Sequence, residues 1–175
     1  GIIGLTIDAG AGNDTVIGSQ GRDTILAGDG NDTVTGGRGD DVALLGAGND
    51  TFIWNPGDGS DIVEGQAGTD TLLFNGANIA EQINIFANGG RVLFTRDVAS
   101  GTMDLNDVET INFTARGGAD TITVNDLSGT DATAINLNLE STPGSGVGDG
   151  AADSIVVMGT SGGDVGLVNS AGAGA

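Results

Sequence analysis

Single apolar residues recur along the first part of the chain at Val16, Ile25, Val34, Ala43 and Phe52, nine residues apart, and again at Val63 and Leu72 after a two-residue insertion. Each sits between short β-prone neighbours, such as Thr15 and Ile17 or Thr33 and Thr35, and a glycine-rich polar turn separates each triplet from the next. Alternation over three residues predicts strands too short to survive alone, with the middle side chain turned inward. A fixed period of this kind is the signature of a parallel β-solenoid, whose stacked coils bury a shared core. The strict period stops at Phe74-Asn75-Gly76. Further alternation predicts strands over Ile83–Phe86, Arg91–Thr95, Thr110–Phe113, Thr121–Val124, Ala134–Leu139 and Ser154–Val157, with Asn88-Gly89-Gly90 as a hairpin turn. A short helical turn is expected near Ile79–Gln82, and an edge strand at Leu5–Ile7 with Leu5 where the repeat would place an aspartate. The chain thus divides into residues 1–76, the repeat solenoid, and residues 77–175, an all-β region of longer rungs, a β-helix or a sandwich.

The polar turns are as regular as the apolar positions. Asp14, Asp23, Asp32, Asp41 and Asp50 step by nine, and Asp61 and Asp70 resume the step after the insertion around Trp54–Pro56. The segments read AGAGNDTVI (9–17), GSQGRDTIL (18–26), AGDGNDTVT (27–35), GGRGDDVAL (36–44), LGAGNDTFI (45–53), PGDGSDIVE (56–64) and GQAGTDTLL (65–73). Glycines occupy the second or fourth position of each turn: Gly10, Gly12, Gly21, Gly28, Gly30, Gly37, Gly39, Gly46, Gly48, Gly57, Gly59 and Gly68. Positive φ at such positions lets the backbone curl and aim carbonyl oxygens inward. Carbonyl and carboxylate oxygens together suit a hard cation, and a roomy, flexible cage suits Ca²⁺ over Mg²⁺.

Composition points the same way. The 175 residues include 34 glycines but only 3% aromatics, so backbone entropy is lost with little large side-chain area to offset it. Twenty-four acidic residues face five arginines, a formal net charge of −19. Nucleic acid and anionic membranes are repelled by such a surface, and cations are its natural partner. Aspartate outnumbers glutamate twenty to four, as tight turns and metal loops favour. The sequence has no Cys, His or Lys, which excludes disulfides, thiolate and His-based catalysis, Schiff bases and a P-loop. No apolar run approaches the roughly 18 residues of a membrane-spanning helix, so membrane insertion is not expected. The start partway through a strand-like run (Ile2–Ile7), without Met, reads as part of something longer.

The seven consecutive segments over residues 9–73 resemble the G-G-x-G-x-D-x-U-x nonapeptide of RTX (hemolysin-type) calcium-binding proteins. The resemblance implies a parallel β-roll in which two nonapeptides make one coil, so repeats two apart stack. One column would hold Asp14, Asp32, Asp50 and Asp70, the other Asp23, Asp41 and Asp61. With one ion between vertical neighbours, that implies about five Ca²⁺, three in the first column and two in the second. Coils stack about 4.8 Å apart, so the paired carboxylates would repel strongly without a cation, and folding is expected to be coupled to calcium. The resemblance also implies secretion by a one-step export system to the outside or surface of a Gram-negative cell. No export signal is identified in the sequence.

Departures fall at Ala9, Ala27, Leu45 and Pro56 in the first position and at Ser19 and Gln66 in the second. Ala43 is small for an inward position, and the insertion weakens the Asp41–Asp61 pair most. In the second half GGADTITV (117–124) and GDGAADSIVV (148–157) echo the repeat, and Gly162-Gly163-Asp164 does so faintly. Asp120, Asp153 and Asp164 are read there as solvated turn residues, and Arg91, Arg96 and Arg116 as surface charge balance. The tail Ser170–Ala175 is featureless. The functional reading is a non-enzymatic, calcium-responsive structural module. The alternatives are an adhesin, surface-layer or filament component that stacks end to end through uncapped strand edges, and a polysaccharide-acting β-helix enzyme using one of those arginines.

Overall fold

A computed structural model of the chain describes residues 2–159; Gly162-Gly163-Asp164 and the tail from Ser170 lie outside the described residues. Successive strands of the repeat go alternately to two sheets. One takes β1 (Thr6–Asp8), β3 (Thr24–Asp29), β5 (Val42–Gly48) and β7 (Asp61–Gly68); the other takes β2 (Thr15–Ile17), β4 (Thr33–Thr35), β6 (Thr51–Trp54) and β8 (Thr71–Asn75). All these pairs are parallel, with Thr15 opposite Thr33 and Thr24 opposite Val42, so two nonapeptides do make one coil. This is a β-roll.

Across the insertion the register changes on both sheets together, Thr51 meeting Thr71 and Val42 meeting Ile62. The extra residues are absorbed in the turn Asn55–Asp58, closed by Asp58 N–H to Asn55 O at 2.9 Å and Asn55 N–H to Asp58 Oδ2 at 2.8 Å. No side chain changes face, which a one-residue slip would have forced.

Every predicted inward residue is buried, Val16, Ile25, Val34, Ala43, Phe52, Val63 and Leu72 alike. So are Ala27, Leu45, Trp54 and Phe74, each two residues further along. The chain keeps its alternation beyond the triplet, which gives a second inward position. Ala27 and Leu45, departures from the glycine pattern, are therefore core residues. Elsewhere the turns need glycine for contact as well as conformation. A Cβ on Gly28 (φ 110°) would strike the carbonyl of Gly10, and one on Gly46 (φ 109°) that of Gly28.

Both sheets continue past residue 76. β9 (Gln82–Asn88) and β10 (Arg91–Arg96) form the expected hairpin through Gly89-Gly90. A 3-10 turn at Val98–Ser100 leads to β11 (Thr102–Asn106), which is antiparallel to β10 and parallel to β7. The helical turn thus lies there rather than near Ile79–Gln82, where the chain instead makes a turn in register with a later one. β12 (Thr110–Thr114) pairs with β8, and β14 (Ala134–Asn138) with β12. β13 (Thr121–Val124) pairs with β9, and β15 (Ser154–Val157) with β13. A single apolar cluster runs through both halves. Its aromatic part lies at the junction: Trp54 stacks on Phe74 with ring centroids 4.0 Å apart, Phe94 lies 4.3 Å from Phe74, and Phe113 completes the group.

Candidate metal centres

Each repeat aspartate stands at the start of its strand, on the residue before it or, for Asp61, on its first residue, and parallel stacking superimposes these positions. The two expected columns form. Asp14 N–H donates to Asp32 Oδ1 at 2.8 Å, Asp32 N–H to Asp50 Oδ1 at 2.7 Å and Asp50 N–H to Asp70 Oδ1 at 2.9 Å. In the other column Leu5 N–H donates to Asp23 Oδ1 at 2.6 Å, Asp23 N–H to Asp41 Oδ1 at 2.7 Å and Asp41 N–H to Asp61 Oδ1 at 2.9 Å. Leu5 indeed stands at an aspartate position. The ladder survives the insertion, so Asp41 and Asp61 remain neighbours.

In every repeat aspartate after Asp14, one oxygen of the carboxylate is thus committed to the rung before it. The other, Oδ2, has no hydrogen-bond partner and is buried in Asp14, Asp32, Asp41, Asp50, Asp61 and Asp70. It turns back over its own loop: a Cβ on Gly36 would strike Asp41 Oδ2, and one on Gly65 would strike Asp70 Oδ2. Buried polar atoms are normally satisfied, so six orphaned carboxylate oxygens in register call for a positive partner. Among the described residues no three acidic side chains converge on one point. Any ion would draw the rest of its oxygens from the backbone of the turns, the donor set that hard cations take.

The electrostatics fit a missing counter-charge. Burial pushes the Asp61 carboxyl up to about 7, against the hydrogen bond from Asp41, and the charges of Asp41, Asp58 and Asp40 add to the rise. Burial likewise lifts Asp41 and Asp70 to about 6, again opposed by the rung hydrogen bond and reinforced by neighbouring acids. No arginine reaches these acids: the salt bridges among the described residues involve Arg91 and Arg96 alone.

Two predicted positions behave differently. Asp23 is buried, which raises its carboxyl, but the Ser19 and Leu5 amides and the Ser19 hydroxyl outweigh that and hold it below the usual range. Ser19 N–H reaches Oδ2 and its hydroxyl reaches Oδ1 at 2.9 Å. Serine in place of the second-position glycine therefore supplies from the chain what the other turns lack. Gly59, expected to offer its carbonyl to an ion, gives it to the Trp54 indole N–H at 2.8 Å. Of the predicted glycines, Gly10, Gly12, Gly28, Gly30, Gly37, Gly39, Gly46, Gly48, Gly57 and Gly68 have positive φ as expected, whereas Gly21 and Gly59 do not. Gln66 takes positive φ (74°) at a glycine position.

Four features escaped the sequence reading. Asn13, Asn31 and Asn49 form an outer ladder: Asn31 N–H donates to Asn13 Oδ1 and Asn49 N–H to Asn31 Oδ1, both at 2.8 Å. Their eighteen-residue spacing was a usable signal. Glu109 extends the first column, accepting from Asp70 N–H at 2.6 Å. Arg96 is a correction: rather than balancing surface charge, it is buried against Glu81 and lies over the Trp54 ring at 5.3 Å. Asp120 is a second correction, since it is buried and not a solvated turn residue; Asp153 is half-buried and accepts its N–H.

Two parallel sheets closed by glycine turns that stack carboxylates define a metal-binding β-roll. The family model of the RTX calcium-binding nonapeptide repeat (4 copies) matches residues 6–25, 17–52 and 57–78. Over that stretch the chain is similar to RTX repeats, which bind calcium. No curated protein matches the chain.

Proposed function

We propose that residues 9–73 act as a calcium-triggered folding module of a secreted protein, with about five ions held between successive acids of the two columns. The observation that carries this reading is the set of six buried, unpartnered Oδ2 atoms. An unsatisfied buried group costs about 1–3 kcal/mol and more when charged, so six would cost about 6–18 kcal/mol, as much as the whole stability of a typical domain, about 5–15 kcal/mol. Calcium would supply the positive charge that the columns lack. Asp32, Asp41 and Asp50 each have a neighbour above and below and so stand in two pairs. Asp23, already satisfied by Ser19, makes the Asp23–Asp41 pair the weakest of the series.

Extracellular modules bind calcium near 10⁻⁴–10⁻³ M, which supports export in an unfolded state and folding outside the cell. Far-UV circular dichroism on EDTA-treated protein tests the reading, with calcium titrated in and magnesium as control. A cooperative gain of β signal near millimolar calcium, absent with magnesium, is the expected result. A β spectrum indifferent to EDTA would overturn it.

A further inference from the structure

Asp120 carries a seventh buried, unpartnered Oδ2, and it lies outside the residues matched by the repeat family. Its residue is 1% exposed. The arrangement around it is that of the array. Asp120 Oδ1 accepts from Glu81 N–H at 2.8 Å, and Asp120 N–H donates to Asp153 Oδ1 at 3.0 Å, so Glu81, Asp120 and Asp153 form a third acidic column. Gly118 packs so closely on Ile79 and Ala80 that a Cβ there would collide with their backbone. Asp149 joins them, accepting from Gly118 N–H at 2.6 Å.

The members of this column differ in how their charge is met. Glu81 is satisfied within the chain, by the buried Arg96 guanidinium on Oε1 and by Ala77 N–H on Oε2 at 2.9 Å. Asp120 has no such partner, and no salt bridge among the described residues reaches it. Burial lifts its carboxyl to about 6, with Asp153, Glu81 and Asp149 adding to the rise against the Glu81 hydrogen bond. Three acids, Glu81, Asp153 and Asp149, lie around it.

We propose that the turn at residues 115–120 holds a divalent, oxygen-seeking cation of the calcium class, with Asp120 Oδ2 as its anionic ligand and turn carbonyls as the remainder. β11, β10 and β9 separate this turn from the Asp61 end of the array within the sheet, so the ion is additional to those of the repeats. Its ligand comes from the part of the chain where the glycine pattern has decayed to Ala115-Arg116-Gly117-Gly118.

The test is calcium per chain, measured by elemental analysis after equilibrium dialysis of the full chain. Asp120→Asn is expected to bind one calcium fewer than wild type, while Asp126→Asn, an exposed acid, loses none. An unchanged count in Asp120→Asn overturns the site. Should that variant fail to fold in calcium, anomalous scattering from wild-type crystals grown with calcium decides. A calcium peak at about 2.3–2.6 Å from Asp120 Oδ2 supports the site. Water, or no peak, at that place in crystals that show the array's ions overturns this site alone; crystals with calcium at neither place overturn the array reading as well.

Discussion

The repeat array and the region that follows it share the same two sheets and the same rung ladder, yet they meet the demands of folding differently. In the array most inward side chains are Val, Ile, Leu or Ala, and two columns of carboxylates run along the turns with no basic partner. At the junction and beyond, Trp54, Phe74, Phe94 and Phe113 pack together, and the first acid of the third column, Glu81, has Arg96 as a built-in cation. Aromatic side chains bury far more area per residue than Val or Ala, so the core shared by the two regions is thickest at their junction. On the proposed reading, the same architecture is stabilised by calcium where the core is thin and by packing where it is thick.

The largest effect expected from breaking that division comes from Phe74→Ala. Phe74 touches the other three aromatics' cluster, and its truncation should cost about 3–5 kcal/mol. Denaturant unfolding at saturating calcium is the measurement, and the loss should persist there. If excess calcium restored full stability, the aromatic junction would not be an independent support.

A smaller, calcium-dependent effect is expected from Asp32→Ala. Asp32 stands in two pairs and Asp14 in one. The calcium midpoint should rise about tenfold for Asp32→Ala, equivalent to about 1.4 kcal/mol, and by less for Asp14→Ala. Equal shifts in the two variants would contradict the stacked columns.

The smallest effect sharpens the comparison by pH. In the calcium-free fold Asp41 and Asp70 are lifted to about 6 and Asp61 to about 7, against about 3.9 for an unfolded aspartate. The folded state then binds more protons than the unfolded one. The stability these protons contribute is fully present below about pH 4 and is lost as pH rises through 6 to 7. EDTA-treated protein should therefore show more β signal at mildly acidic pH than at neutral pH. Calcium affinity should move oppositely, falling on acidification, because ligands must be ionised. A calcium-free chain that gained structure with rising pH would sink the assignment of buried, metal-seeking carboxylates.

Much of the array was legible because its contacts recur at one fixed offset. A nine-residue period places every repeat aspartate and the first inward residue of each strand relative to its neighbours, and with the resemblance to a two-repeat coil it predicts the columns and the register. The second inward set, Ala27, Leu45, Trp54 and Phe74, came only from the structure. In the second half most strands were legible from alternation, but β11 was missed, since Thr102–Asn106 alternates over only five residues after an irregular turn.

What the sequence determined by itself was therefore everything periodic: the β-roll, its core positions and the two columns of acids. The tertiary structure alone decided the exceptions. That Ser19 satisfies Asp23, that Trp54 takes the Gly59 carbonyl, that Arg96 lies buried against Glu81, and that Asp120 falls in a third column could not be read from any repeat. These contacts depend on where the hairpin β9–β10 folds back into the sheet and brings Glu81 beside Asp120, thirty-nine residues away. Periodic contacts are written into local spacing; single long-range contacts exist only once the chain has closed on itself.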